Sequence, residues 1–323
     1  MKLLGLQIPN FTFPGVTNDR LFDHVAMLAT TAERAGFDSV FVMDHFYQLS
    51  SIGPPTEPML EGYTVLAGLA ARTKKVRLGT LVTGVTYRNP AFLAKVVTTL
   101  DIVSAGRAIL GIGAAWNEDE HRGYGYEFPP VGERLSRLEE ALQICRAMFR
   151  EEAPTFEGRY YRIDGALNFP RPVQKNGPPI LIGGGGEQRT LKLVAQYADM
   201  CNIFGDVPTI RHKMEVLARH CEALGRDPGT IVKTRLGSLI IRKTDDEARR
   251  VYEQLLARPG VDRERVRTVF IAGGPDRVAE EAQKLLDAGL DGLIFNMPHV
   301  EDPEAIELAG QTLAGLRQPA AAR

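Results

Sequence analysis

Short apolar runs rich in β-branched residues alternate eight times with longer stretches of helical periodicity along these 323 residues. That alternation limits the fold more than any other feature. The strand candidates are 3–8, 38–43, 76–82, 107–112, 179–182, 199–204, 231–241 and 292–295. Helical spacing fills the intervals at 19–35, 63–72, 90–104, 134–149, 187–197, 208–224, 245–256 and 275–288, and 304–316 closes the chain. Strands this uniformly apolar are buried on both faces, which a parallel sheet requires. The expectation is an α/β fold, a single (β/α)8 TIM barrel forming one domain over 1–323. A doubly wound sheet is the alternative. It uses fewer strands, and no Gly-x-Gly-x-x-Gly follows the first strand here.

One segment breaks the rhythm. Residues 151–178 carry no long helical pattern and read as an insertion with a small hairpin at 156–161, turning at Glu157 and Gly158. Loops of this length commonly cover sites. Residues 320–323 read as a frayed tail.

Charge and cysteine usage exclude several classes. The 39 basic and 40 acidic side chains leave a net charge of −1, without the basic excess that a nucleic-acid surface needs. The run 263–267 is interrupted by Glu264 and reads as a solvated helix face. No apolar stretch reaches the ~18–20 residues of a membrane span. The apolar start meets Pro9 and Asn10 too soon for a signal segment. Cys145, Cys201 and Cys221 are odd in number and far apart, so they form neither a zinc motif nor a disulfide framework. They fit small buried residues in a reducing cytoplasm.

Barrel enzymes build their sites at the C-terminal ends of the strands. Asp44-His45 follows the second strand, and a histidine exchanges protons near neutral pH. The plain alternative is a structural pair capping the next segment. Gly79 to Gly84 ends the third strand, where glycine marks a bulge, a close ligand approach or a simple turn. Gly111 to Asn117 ends the fourth and holds the lone tryptophan, Trp116, beside an amide able to donate and accept. Gly183 to Gly186, then Glu187, join the fifth strand to a helix, and such a run frees backbone N–H groups to converge on an anion. His121 with Glu118 or Glu120 lacks the His-Glu-x-x-His metal spacing. His24, His212 and His220 fall on helices and read as surface or packing residues; His299, after the eighth strand, is a minor candidate. Together these features suit a phosphorylated planar cofactor better than a hydrolase.

At these residues the chain resembles the bacterial luciferase-like superfamily, and in particular its coenzyme F420-dependent oxidoreductases. The resemblance runs from Leu3 to about Leu316. It is carried by Asp44-His45-Phe46, Leu78-Gly79-Thr80 through Arg88-Asn89-Pro90, Ala115-Trp116-Asn117 through Phe128-Pro129, and the Gly183 run. It implies hydride transfer between F420 and a small organic substrate, with His45 as the proton donor or acceptor. It implies cofactor contacts from Asp44, Leu81, Val82, Thr83, Gly113, Asn117, Gly184, Gly185, Gly186 and Glu187. A non-proline cis peptide at Leu81–Val82 and a homodimer are implied as well. Two departures stand out: sugar-phosphate dehydrogenases of the family carry a Glu where this chain has Ala114, and a Trp where it has Leu49. The first removes their general base, so His45 is expected to work without a carboxylate partner. Alternatives within the superfamily are an FMN-dependent two-component monooxygenase served by a flavin reductase, and a non-enzymatic flavin-binding protein.

Overall fold

In the computed structural model, which describes residues 1–257, 261–297 and 303–316, the alternation closes on itself. The elements in order are β1 (Leu3–Ile8), α1 (Asn18–Arg34), β2 (Ser39–Val42), α2 (Gly62–Arg72), β3 (Arg77–Thr80), β4 (Thr83–Gly84), α3 (Pro90–Val103) and β5 (Ala108–Gly113). Next come α4 (Glu118–Tyr124), α5 (Val131–Arg150), β6 (Phe156–Glu157), β7 (Arg162–Ile163), β8 (Ile180–Gly183), α6 (Thr190–Tyr197), β9 (Met200–Ile203) and α7 (Val207–Ala223). The chain ends with β10 (Val232–Ile241), α8 (Asp245–Leu256), α9 (Arg263–Val269), β11 (Phe270–Gly273), α10 (Pro275–Asp287), β12 (Gly292–Asn296) and α11 (Pro303–Ala314).

Parallel ladders run β1-β2-β3-β5-β8-β9-β10-β12 and return to β1, giving the expected eight-stranded barrel. The alternation of side chains along each strand explains its two buried faces. Leu3, Phe41, Leu81, Ile109, Leu181, Met200 and Ile294, with Val82, Val232 and Leu236, fill the barrel interior. The alternate residues, such as Leu4, Leu6 and Ile8 of β1, join the larger core between barrel and helices.

The cis Leu81–Val82 peptide implied by the resemblance is present. Several other details differ from expectation. The third strand stops at Thr80 rather than 82, and the chain resumes as β4 against β5. Helix α6 starts at Thr190 rather than 187. The short α4, α9 and β11 lack the length for a periodic signal and were not anticipated. Strand β10 reaches beyond β9 and pairs its upper half, Ser238 to Ile241, with β11. His299 and the tail at 320–323 lie outside the described residues.

The insertion is a strap rather than a cover. Its β6–β7 hairpin is held by the Glu140 carboxylate of α5, which accepts the N–H groups of Arg159, Tyr160 and Tyr161. Further along, Asn168 donates to Thr98 Oγ1 and Met148 O, Lys95 donates to Phe169 O, and Gln174 bonds Asp101. The segment therefore runs over α3 and α5 on the outside of the barrel. Among the described residues it makes no hydrogen bond to the loops bearing His45, Asn117 or Gly185.

At Gly111 in β5 the neighbouring β3 leaves no room for a side chain: an added Cβ would lie 1.9 Å from Thr80 O. A backbone carbonyl cannot move aside without breaking the ladder. We expect Gly111→Ala to lower unfolding free energy by about 3 kcal/mol or more in urea titrations, at the upper end of overpacking costs. Gly132→Ala in α5, where nothing lies within 4 Å, should be neutral or stabilising by up to about 1 kcal/mol.

Candidate active site

The polar residues singled out in the sequence converge at one end of the barrel, where β2, β3, β5 and β8 finish. Asp44 is buried, and its two oxygens take a bidentate pair of bonds from Arg88, at 2.6 and 3.0 Å. Arg88 also donates to Glu61 at 2.6 Å. Burial pushes the Asp44 carboxyl up, and Arg88 opposes that shift. With both oxygens engaged, Asp44 anchors the wall of the mouth through Arg88 instead of offering a free carboxylate.

His45 meets Glu120, a residue whose sequence context suggests nothing beyond a metal-ligand candidate. Glu120 on α4 is buried, with Oε2 2.9 Å from His45 Nδ1 and accepting the Tyr87 hydroxyl at 2.8 Å. Its Oε1 accepts the backbone N–H groups of Phe46 at 2.6 Å and Tyr47 at 3.0 Å. His45 thus has a carboxylate partner, contrary to the expectation drawn from Ala114. Burial works against the Glu120 charge, but His45, the Tyr47 N–H and Tyr87 outweigh it and hold the carboxyl below its ordinary range. Burial and Glu120 together push Tyr87 up, so its hydroxyl stays a donor. Phe46 packs against Tyr87 and Tyr124, with ring centroids 4.6 and 4.4 Å apart, and seals the loop onto α4. Trp116, 63% exposed, stands edge-on to His45 at 5.5 Å and offers the mouth an aromatic face.

The tip of the third strand forms the floor. Gln7 Nε2 donates to Leu81 O at 3.0 Å. The Val82 side chain lies against Gly113 and Gly183, where an added Cβ would come within 2.9 and 2.8 Å of it. Thr83 turns inward: its hydroxyl is 2.6 Å from Tyr63 Oη and 2.8 Å from Thr80 Oγ1, a buried network remote from solvent. Ala115 has φ of +60°, a left-handed conformation costing about 1–2 kcal/mol in an L-residue. That turn brings Asn117 to the N-cap of α4, where its side-chain amide makes no hydrogen bond among the described residues.

At the glycine run the members differ. Gly184, at φ +124°, donates its N–H to Asn202 O, so that group is absorbed by the sheet edge. The Gly185, Gly186 and Glu187 N–H groups donate to no acceptor among the described residues. The Glu187 side chain faces α7, bonding Lys213 at 2.5 Å and His212 at 3.1 Å, while its carbonyl lies 2.7 Å from His220 Nε2. Lys213 is therefore held beside the free N–H groups, and His212 and His220, expected as surface or packing residues, buttress the loop. Helix α6 begins three residues after Glu187, so its dipole acts from farther away than expected.

Two further features lie away from this mouth. Burial pushes Cys145 and Cys201 to about 12, which keeps them as inert thiols. A cavity of about 890 Å³ opens at the opposite, N-terminal end, lined by Lys2, Asp38, Arg77 and Asp199 among others. Its charges are tied into the frame: Asp38 accepts Leu4 N–H, Asp199 accepts Ile180 N–H, and Arg77 donates to Gln174.

Arg88→Ala should destabilise by about 3–5 kcal/mol in chemical unfolding, because it strands a buried carboxylate; Asp44→Asn added to it should recover part of that loss. The depressed Glu120 carboxyl contributes stability above its unfolded pKa of about 4.3, and that contribution disappears as pH falls through the lower folded value. Unfolding free energy measured from pH 6 downward should therefore fall less steeply in Glu120→Gln.

The family model described as luciferase-like monooxygenase matches residues 4–307. An F420-dependent glucose-6-phosphate dehydrogenase of Kineococcus radiotolerans is 30% identical over 301 residues, 85% of this chain and 87% of the relative. Its counterpart from Nocardia farcinica is 28% identical over 318 residues, 89% and 91% of the two chains. Among solved structures, an F420-dependent secondary alcohol dehydrogenase with an F420-acetone adduct superposes with TM-score 0.81 at 21% identity, covering 98% of this chain and all (100%) of that one. The FMN-bound oxygenating constituent of 3,6-diketocamphane monooxygenase from Pseudomonas putida gives 0.78 at 20% identity, covering 99% and 100%. These superpositions express a shared barrel. The match over nearly the whole chain gives the assignment: the protein belongs to the luciferase-like monooxygenase family.

Proposed function

We propose that this chain is an oxidoreductase that transfers a hydride between coenzyme F420 and a small organic substrate. The observation that carries the reading is His45, whose Nε2 has no protein partner among the described residues, standing at a mouth that also offers unbonded backbone N–H groups. The N–H groups of Gly185, Gly186 and Glu187, with Lys213, fit a phosphate. Asn117, Val82 and Gly113 would line the ring, Leu81 and Thr83 would shape the floor behind it, and Asp44 and Gly184 would support the wall and the loop. When bound, the deazaflavin supplies C5 as hydride donor or acceptor. His45 gives or takes the accompanying proton at Nε2, and Trp116 covers the reacting face from one side.

The relatives named for glucose 6-phosphate support the cofactor more than the substrate, because Ala114 stands where the resemblance implies their base. An alcohol, carbonyl or activated alkene without a phosphate suits an aromatic wall better than a sugar phosphate. We also read the chain as one domain working as a cytoplasmic homodimer. Phe92, Val103, Leu167, Phe169 and Val173 are exposed on α3 and the strap and supply an apolar face for a second copy.

The purified protein should quench F420 fluorescence on titration and gain thermal stability with it. Stronger stabilisation by FMN would instead favour the two-component monooxygenase reading, in which a flavin reductase is the partner. His45→Ala should retain F420 binding but lose about 100-fold or more in turnover with propan-2-ol and F420, or cyclohexenone and reduced F420. Leu167→Glu with Phe169→Glu should convert a dimer to a monomer in sedimentation velocity.

A further inference from the structure

We infer that Glu120 is a positioning residue that fixes the tautomer of His45, holding the proton on Nδ1 and presenting Nε2 to the mouth. The inference rests on the reading that His45 moves the proton of the reaction.

Glu120 has four acceptor directions and four donors to fill them. Phe46 and Tyr47 N–H groups occupy Oε1; Tyr87 and His45 Nδ1 occupy Oε2. No lysine or arginine bonds this carboxylate among the described residues, so its partners are two backbone N–H groups, a phenol and an imidazole. A neutral imidazole with a bare Nδ1 would set a lone pair against an ionised oxygen 2.9 Å away. The remaining neutral form carries hydrogen on Nδ1 and a lone pair on Nε2. The His45 side chain is 14% exposed and that of Glu120 is fully buried, so only the imidazole reaches the mouth. Glu120 therefore acts through His45 and never meets substrate. This is the division of labour known from the Ser-His-Asp template, where the buried carboxylate orients the ring.

The donor set also predicts what an isostere does. In Glu120→Gln the N–H groups of Phe46 and Tyr47 pin the amide oxygen on their side, since reversing the amide would face N–H against N–H. The NH2 then points at Tyr87 Oη and His45 Nδ1, one hydrogen for each. His45 Nδ1 must accept, and the proton moves to Nε2. Shape is kept and the tautomer is reversed.

The test is long-range ¹H–¹⁵N correlation on histidine-labelled full-length protein without cofactor, at a pH where the imidazoles are neutral. His45 is assigned by its loss in His45→Asn. The wild type should show the Nδ1–H pattern and Glu120→Gln, folded as judged by circular dichroism, the Nε2–H pattern. An Nε2–H pattern for wild-type His45 overturns the inference, and that measurement needs no variant to fold. An unchanged tautomer in a folded Glu120→Gln overturns it as well. Turnover with the probes above should drop about 10²–10⁴-fold in Glu120→Gln with F420 affinity retained. A reversed tautomer with full turnover would confirm the dyad while sinking the reading that His45 carries the proton.

Discussion

Closure of the sheet by β1 between β2 and β12 is the constraint on which everything else depends. Once the ladder closes, the eight barrel strands have no free edge, and each has two apolar faces to satisfy. One set of side chains fills the interior and the other meets the helices. Polar chemistry is thereby pushed to the strand tips, where the backbone leaves the sheet and water has access. The mouth is not an added feature but the place where closure permits charge.

Two carboxylates sit at that mouth under the same burial and serve different ends. Asp44 is neutralised by Arg88, a permanent cation, and becomes part of the frame. Glu120 is met instead by two backbone N–H groups, the Tyr87 hydroxyl and the His45 imidazole. The first pairing braces the wall of the mouth; the second ties the imidazole ring to a fixed reference. The aromatic seal of Phe46 against Tyr87 and Tyr124 keeps water away from that reference, which strengthens its hydrogen bonds.

The glycine run shows a similar division. Its one positive-φ member, Gly184, is tied to β9, and the three residues after it project unbonded N–H groups beside Lys213. Composition alone treats the glycines as equivalent. Only the pairing of Gly184 with Asn202 separates the residue that anchors the loop from those free to meet an anion.

Much was legible in the chain itself. Eight apolar runs and their spacing determined the barrel, because period-2 and period-3.6 patterns report burial directly. The rule that barrel chemistry lies at strand ends then picked out Asp44, His45, Asn117 and the glycine run. What the tertiary structure decided is which of these face outward and what they touch. Glu120 lies 75 positions from His45, and no local pattern encodes a contact made by closing the barrel. Lys213 comes from α7, a helix oriented by packing against α6 and α10, and the strap lies along α3 and α5 because Thr98, Asp101 and Glu140 offer its polar groups partners there. Periodicity records how much of a residue is buried; hydrogen-bond partners across the barrel depend on three-dimensional closure, which periodicity does not contain.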